Sequence, residues 1–453
     1  MNRDRVALIT LLFALQCTLL RLGPAARGAE DSVRSRAEEL TRIYVDAFGS
    51  RNTGLVYHHR LDGPRGTAVL SSPSEIAAGM VKGKPVPYGY GSGIQDIALE
   101  NGQLLFALCE AYEATSEACY GDTARKLFRS LKRLAEISPE PGFVPRGPHP
   151  DGKSYYRDSS RDQHAAYVEA LWRYSRSPLA SAEDRRFAAD TLSKIAARME
   201  RNGWRILVED NSRQAHVGWP WTQFTSIGSI TLLSILGQVK DATAEARWQQ
   251  LYDHFSAERD GARWNEYLDP RAVEAWPPLT LYANQFCQAL VALARTESDP
   301  GRRRQIAEFL RRWAVRGLEG NVFDARDWRR LDWAGERDDL ATAELLRPLG
   351  ISLEKPATVL EVYRGFDRAL WTSEDRDARA SAHKLCYGLA TVPLHAALLS
   401  GDEQLVRRVE PTVRAMVEEM LHYHAHYDKG ENLNRTVILG ILLDARTAKR
   451  TTE

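Results

Sequence analysis

The densest concentration of reactive side chains in this sequence lies between Tyr155 and Tyr174, YYRDSSRDQHAAYVEALWRY. It opens on Arg157, Asp158, Ser159, Ser160, Arg161, Asp162, Gln163 and His164, then becomes a helix with Ala166, Val168, Leu171 and Trp172 on its apolar side. Ser159 or Ser160 suits the N-cap, and Asp162 falls in the first turn, where exposed N–H groups and the helix dipole favour an anion. A cap needs only one or two of these groups. Two arginines, two aspartates and a histidine exceed that need, and the surplus predicts a site at a helix mouth.

Four other segments share this style. PYGYGSGIQD supplies Tyr88, Tyr90 and Asp96, with Glu100 and Asn101 about a turn further on. AHVGWPWTQ supplies His216, Trp219, Trp221 and Gln223, and RWNEYLDP supplies Trp264, Asn265, Glu266 and Tyr267. HYHAHYDKGENLNR supplies His424, His426, Tyr427, Asp428, Glu431 and Arg435. Aromatic faces beside carboxylates suit a pyranose, whose C–H face stacks on Trp or Tyr while its hydroxyls bind acids and amides. Each residue also has a structural reading. Asp162 and Asp96 serve equally as helix-cap partners, Glu100 as half of a salt bridge, and Trp219–Pro220–Trp221 as core. Alternate histidines at 422, 424 and 426 do not converge on a helix, so no metal is expected, and nothing implies a cofactor. GxSxG, P-loop and strand-borne GxGxxG motifs are absent, which removes serine-hydrolase, nucleotidase and Rossmann chemistry.

The elements that position these segments are helical almost throughout. An amphipathic helix is expected over 33–48, a short one over Pro73–Lys82 capped by Ser72, and a charged one over Thr123–Ile137 with Leu127, Leu131 and Leu134 inward. Less charged helices begin near Ile94, Arg161, Trp219, Pro278, Ala380 and Asn432. Arg/Glu-rich helices lie between them at about 182–201, 241–257, 300–317 and 402–422. The first type lacks a solvated face and belongs inside; the second belongs outside. The first four inner helices recur at about sixty residues, long for a short solenoid repeat. VLSS near Val69 and WRILVED near Trp204 are the only strand candidates. Residues 321–376 break the rhythm and read as an insertion in a single domain covering 30–453.

Six inner helices, each with an outer partner, resemble the all-α (α/α)6 toroid of the six-hairpin glycosidases and related polysaccharide lyases. That resemblance implies a ring of helical hairpins whose pre-helix loops line a central cleft. It also implies an exported glycoside hydrolase acting on a polysaccharide or oligosaccharide. Asp162 would be the general acid and Asp96 its partner, with Glu100 in reserve and His164 with Arg161 orienting the acid or binding a substrate carboxylate. Tyr88, Tyr90, Gln163, His216, Trp219, Trp221, Trp264, Glu266 and Tyr267 would hold the sugar. A lyase is the alternative, with His164 or His216, Tyr88, Tyr90 or Tyr267, and Arg161 handling a uronate. A ring that binds carbohydrate without catalysis is the third reading.

Composition bounds the rest. The chain has 453 residues, 43% hydrophobic and 27% charged, with a net charge of +1. That balance is ordinary for a globular protein and gives no broad attraction to nucleic acid or anionic membranes. MNRDR, the apolar run Val6–Leu20 and the small residues from Gly23 to Ala29 read as a signal peptide over 1–29. The expected location is periplasmic or secreted, without stable membrane insertion after cleavage. Cys109 and Cys119 are close enough to pair only if the helix between them breaks near Ser116.

Overall fold

The computed structural model describes residues 33–218, 226–257, 283–320, 357–374, 387–427 and 429–452. Six inner helices form the architecture: α3 (Ile97–Thr115), α5 (Arg161–Ser175), α7 (Ser226–Thr243), α9 (Ala283–Thr296), α12 (Leu389–Ser400) and α14 (Glu431–Thr452). Each packs on the next, α3 on α5, α5 on α7, α7 on α9, α9 on α12 and α12 on α14, and α14 returns to α3. That return closes the ring, so the protein is an (α/α)6 toroid.

Outside lie α1 (33–48), α4 (Ala118–Glu136), α6 (Ala182–Arg201), α8 (Ala246–Ser256), α10 (Pro300–Glu319) and α13 (Glu403–Tyr423). Their sequences explain the division. In α4 the leucines Leu127, Leu131 and Leu134 are buried while the lysines and arginines between them face out, as the spacing predicts. In α12 every residue from Leu389 to Leu399 is buried, so it has neighbours on all sides. Burying one such leucine contributes roughly 1.5–3 kcal/mol, which outweighs the helix propensity of any exposed position. Outer helix α1 belongs to the same ring: Ala37 faces Gly440 of α14, and Arg34 binds Glu117 at 2.8 Å. Because an outer helix running back lies between successive inner ones, the inner helices point the same way. Their N-termini gather at one end, the mouth.

Three local expectations are corrected. The helix expected over Pro73–Lys82 stops at Ala77 (α2, Pro73–Ala77), although Ser72 caps it through a capping box with Glu75. Gly79, at φ +65°, turns the chain into a two-residue hairpin, β1 (Met80–Val81) against β2 (Lys84–Pro85). VLSS holds no strand, since Gly66–Val69 is a 3-10 turn; the Trp204 segment contributes one isolated bridge, Leu207 to Gln214. The helix does break at Ser116, in the left-handed conformation, yet Cys109 stays buried and Cys119 exposed, both as free thiols. Cys119 instead meets Glu38 Oε1 at 2.8 Å. Of the segment expected as an insertion, 357–374 carries α11 (Val359–Gly365), which packs on α10 and α12. Residues 1–32 and 321–356 lie outside the described residues, as do the signal peptide and most of that insertion.

Candidate active site

Arg146 stands at the centre of the mouth, 1% exposed, in the loop between α4 and α5. Gly147 beside it is required by space, because a Cβ there would meet the Ile97 side chain at 2.3 Å. The Arg146 carbonyl accepts the Ala98 N–H at 2.8 Å, covering one of the open donors at the start of α3. Its guanidinium donates to the carbonyls of Gln95 at 3.3 Å, Ser159 at 3.2 Å and His216 at 3.5 Å. It also lies 3.7 Å from Asp96 Oδ1 and 4.9 Å from the centre of the Tyr90 ring. One buried cation thus ties together the loops that precede three inner helices.

Asp96 occupies the N-cap of α3 but makes no capping bond. Its Oδ1 accepts from Gln163 Nε2 at 2.9 Å, and 21% of the side chain reaches solvent. Burial first, and then the charge of Asp162, push its pKa up to about 7 against the opposing pull of Arg146 and His58. A carboxyl so placed holds its proton near neutral pH. Asp162, 7% exposed in the first turn of α5, accepts a short hydrogen bond from Ser160 Oγ. Gln285 of α9 reaches across the ring to the Asp162 carbonyl at 2.9 Å. These two acids, 66 positions apart in sequence, share one electrostatic environment.

Neither serine caps α5 with its side chain, contrary to expectation. Ser160 Oγ is spent on Asp162, and Ser159 Oγ donates to the Val144 carbonyl at 2.5 Å. Gln163 is wholly buried, with Oε1 accepting the Leu99 N–H at 2.9 Å and Nε2 on Asp96; it positions the carboxyl and does not face a ligand. His164 is 1% exposed, its Nδ1 3.0 Å from the Ser160 carbonyl, and burial drives its pKa down to about 3. It is therefore a neutral packing histidine behind the mouth and no acid. Glu100 is buried and accepts from His58 Nδ1 at 3.1 Å, while Oε2 has no hydrogen bond. Arg161 is half-buried, with its N–H on the Val217 carbonyl at 3.2 Å.

The aromatic part of the mouth is a triad. Tyr88 stacks on His216 at 4.1 Å, and Tyr90 meets the same imidazole edge-on at 5.2 Å. Tyr90 is 36% exposed and His216 is exposed, so this surface is open to a ligand. Partial burial and then the Arg146 charge hold His216 below the usual histidine pKa. Buried Asp158 fixes the loop, accepting the N–H groups of Ser159 at 2.8 Å and His216 at 2.9 Å. Trp219, Trp221, Gln223, Trp264, Asn265, Glu266, Tyr267 and Asp428 lie outside the described residues. His424 and His426 sit in a 3-10 turn after α13, with His424 Nδ1 on the Leu421 carbonyl at 2.9 Å. Sequence reasoning missed Arg146 and His58. The signals were faint: FVPRGPHP, an arginine set among prolines and glycine, and the YHH preceding a turn-rich stretch.

No family model matches the sequence, and neither does any curated protein. Among solved structures, a cellobiose 2-epimerase from Spirochaeta thermophila aligns with 66% of this chain and 73% of its own, at TM-score 0.41 and 14% identity. A sugar epimerase from a ruminal bacterium aligns with 79% of this chain and 85% of its own, at TM-score 0.40 and 14% identity. At that distance the architecture rests on the chain's own helix packing.

Proposed function

We propose that this toroid is a carbohydrate-active enzyme that hydrolyses glycosidic bonds at its mouth. In this reading Asp96 is the general acid and Asp162 the ionised partner, which reverses the roles expected from sequence. The observation that carries it is the unequal pair of acids at the N-termini of α3 and α5. Asp96 spends nothing on capping and is pushed up to about 7, while Asp162 keeps a hydroxyl donor on its carboxylate. Acid catalysis needs a proton held near neutral pH beside an anion that meets the developing positive charge or activates water. The proton passes from Asp96 to the leaving oxygen as the C–O bond breaks, and water gives its hydroxyl to the anomeric carbon and its proton to Asp162. Tyr90 and His216 offer exposed aromatic surface for a sugar ring, and Arg146 fixes that surface relative to the acid.

A second reading draws on His216, the exposed imidazole against two tyrosines, whose pKa is lowered. Such a base could abstract a proton from a carbon next to a carbonyl or carboxyl, as in a lyase or an isomerising enzyme. Product analysis on a panel of neutral and acidic oligosaccharides separates the readings. Shorter saturated sugars are the expected products. An unsaturated product absorbing in the ultraviolet, or an epimer of unchanged length, would replace hydrolysis by proton abstraction. Export belongs to the same proposal, carried by the N-terminal charge, apolar run and small residues. A mature protein beginning near residue 30 in the periplasm or medium is expected, and an intact N-terminus in the cytoplasm would contradict it.

A further inference from the structure

A groove of about 610 Å³ runs beside the mouth, within the ~300–1,000 Å³ range of small-ligand sites. Gly79, Pro87, Lys153, Tyr155, Arg157 and Arg213 are on its walls. Two connections join it to the mouth. The Tyr88–Tyr90 loop rests on the groove residue Tyr156, so closely that a Cβ on Gly89 would lie 2.5 Å from that ring. Arg213 Nη1 binds Asp158 Oδ2 at 2.9 Å, and the other oxygen of this fully buried carboxylate holds the His216 N–H.

The groove is cationic although the chain is nearly neutral. Lys153, Arg157 and Arg213 line it with one carboxylate, Asp210, and although Arg213 is spent on Asp158, Lys153 and Arg157 remain at the surface. The β1–β2 hairpin, whose flanks Gly79 and Pro87 are groove residues, carries Lys82 and Lys84, both exposed. The Arg157 side chain is 82% exposed and approaches Glu209 Oε2 only at 3.4 Å. Glu209 Oε1 accepts from Ser138 and Tyr155, each at 2.5 Å, which anchors Glu209 to the wall and leaves Oε2 as its contact with Arg157. A planar guanidinium held out on a rigid wall matches a carboxylate in bidentate fashion.

We infer that this groove is a subsite for the carboxylate-bearing units of an acidic glycan, taking the chain beyond the residue held at the mouth. This rests on the reading of the mouth as a carbohydrate site and adds the substrate class. The test is calorimetric binding of uronate tetramers (galacturonate, glucuronate and guluronate), with the methyl-esterified galacturonate tetramer as uncharged control. It compares the full chain with its Lys153→Gln/Arg157→Gln variant; both residues are exposed and outside the proposed catalytic set. The wild type should prefer at least one acidic tetramer, lose affinity as salt rises, and bind about tenfold more tightly than the double variant. Equal affinity for acid and ester, equal affinity of the two proteins, or no binding of any uronate tetramer overturns the subsite. Turnover measured alongside keeps the two ideas apart. Unchanged turnover and affinity in the double variant removes the groove alone. Affinity lost in the double variant, with no turnover of any oligomer, supports the groove and removes the hydrolase reading.

Discussion

Replacing Asp96 by asparagine should stabilise the protein and silence it together. The carboxyl is moved from its ordinary 3.8 to about 7, so ionising it in place costs ~4 kcal/mol. A fifth of its side chain reaches solvent, which screens part of that cost and leaves ~2–4 kcal/mol. The sign follows from proton counting. Between about pH 4 and pH 7 the native state holds a proton that the unfolded state has lost, so wild-type stability falls across that window and levels off above it. Asparagine has no proton to lose and keeps the oxygen that Gln163 Nε2 uses. Urea unfolding of both proteins should therefore give near-equal stability at pH 4, with a gap in favour of Asp96→Asn that widens to ~2–4 kcal/mol by pH 8. Turnover should fall by about a hundredfold or more, and a substrate with a good leaving group, which needs little protonation, should recover much of it. A gap that stays flat with pH would show that Asp96 ionises like a surface acid and refute the reasoning. So would a folded variant with wild-type turnover.

Two further substitutions test the surroundings of that carboxyl. Arg146→Met leaves three carbonyls and the Asp96 carboxylate without their buried donor and should cost ~3–5 kcal/mol in urea unfolding. Since Arg146 pulls the Asp96 pKa down, any residual activity should keep its basic limb to higher pH; a limb moved to lower pH contradicts the assignment. Glu169 of α5 is completely buried with neither oxygen hydrogen-bonded, and burial holds its pKa well above the ordinary glutamate value. Glu169→Gln should match wild type in urea midpoint at pH 4 and exceed it increasingly as pH rises, because only the wild type must ionise or stay strained. Equal midpoints at every pH would mean the carboxyl is satisfied.

The ring was legible because burial writes itself into composition: α12 has no charged residue between Leu389 and Ser400, whereas α10 carries arginine along one face. Helix periodicity is a property of neighbours in sequence, and the spacing of leucines in α4 was enough to orient it. The site was legible as a place and opaque as a mechanism. Asp96 and Asp162 were both visible, but which one keeps its proton depends on Gln163, Arg146 and His58, which meet only in the folded ring. Ser159 and Ser160 looked like caps because local preference favours them there. The fold gives them other partners, Val144 and Asp162, and those tertiary bonds prevail over the local one. Arg146 was overlooked because a lone arginine among prolines reads as a solvated loop, and its partners lie up to 70 residues away.

The two ends of the ring treat carboxylates in opposite ways, and the contrast explains how Asp96 comes to hold a proton. At the end opposite the mouth Glu110 of α3 is 5% exposed and accepts from Arg173 of α5 and from both terminal nitrogens of Arg295 of α9, at 2.6 and 2.7 Å. Those cations hold it far below the usual carboxylate range despite its burial. The C-terminal carbonyls of inner helices favour positive charge, and Arg446 of α14 likewise donates to the Leu398 carbonyl at 2.6 Å. By the same dipole rule the mouth, where helix N-termini meet, should favour anions, and an acid at the N-cap of α3 should be held ionised. It is not, because the first donors of α3 are already taken. Ala98 N–H goes to the Arg146 carbonyl and Leu99 N–H to Gln163 Oε1, so Asp96 receives one amide hydrogen bond and a guanidinium at 3.7 Å. Capping the helix from outside its own N-cap residue leaves that residue's carboxyl short of donors, partly buried, and facing the charge of Asp162. Proteins tolerate such local deficits where function requires them, and the paired, well-packed opposite end supplies the stability that offsets it.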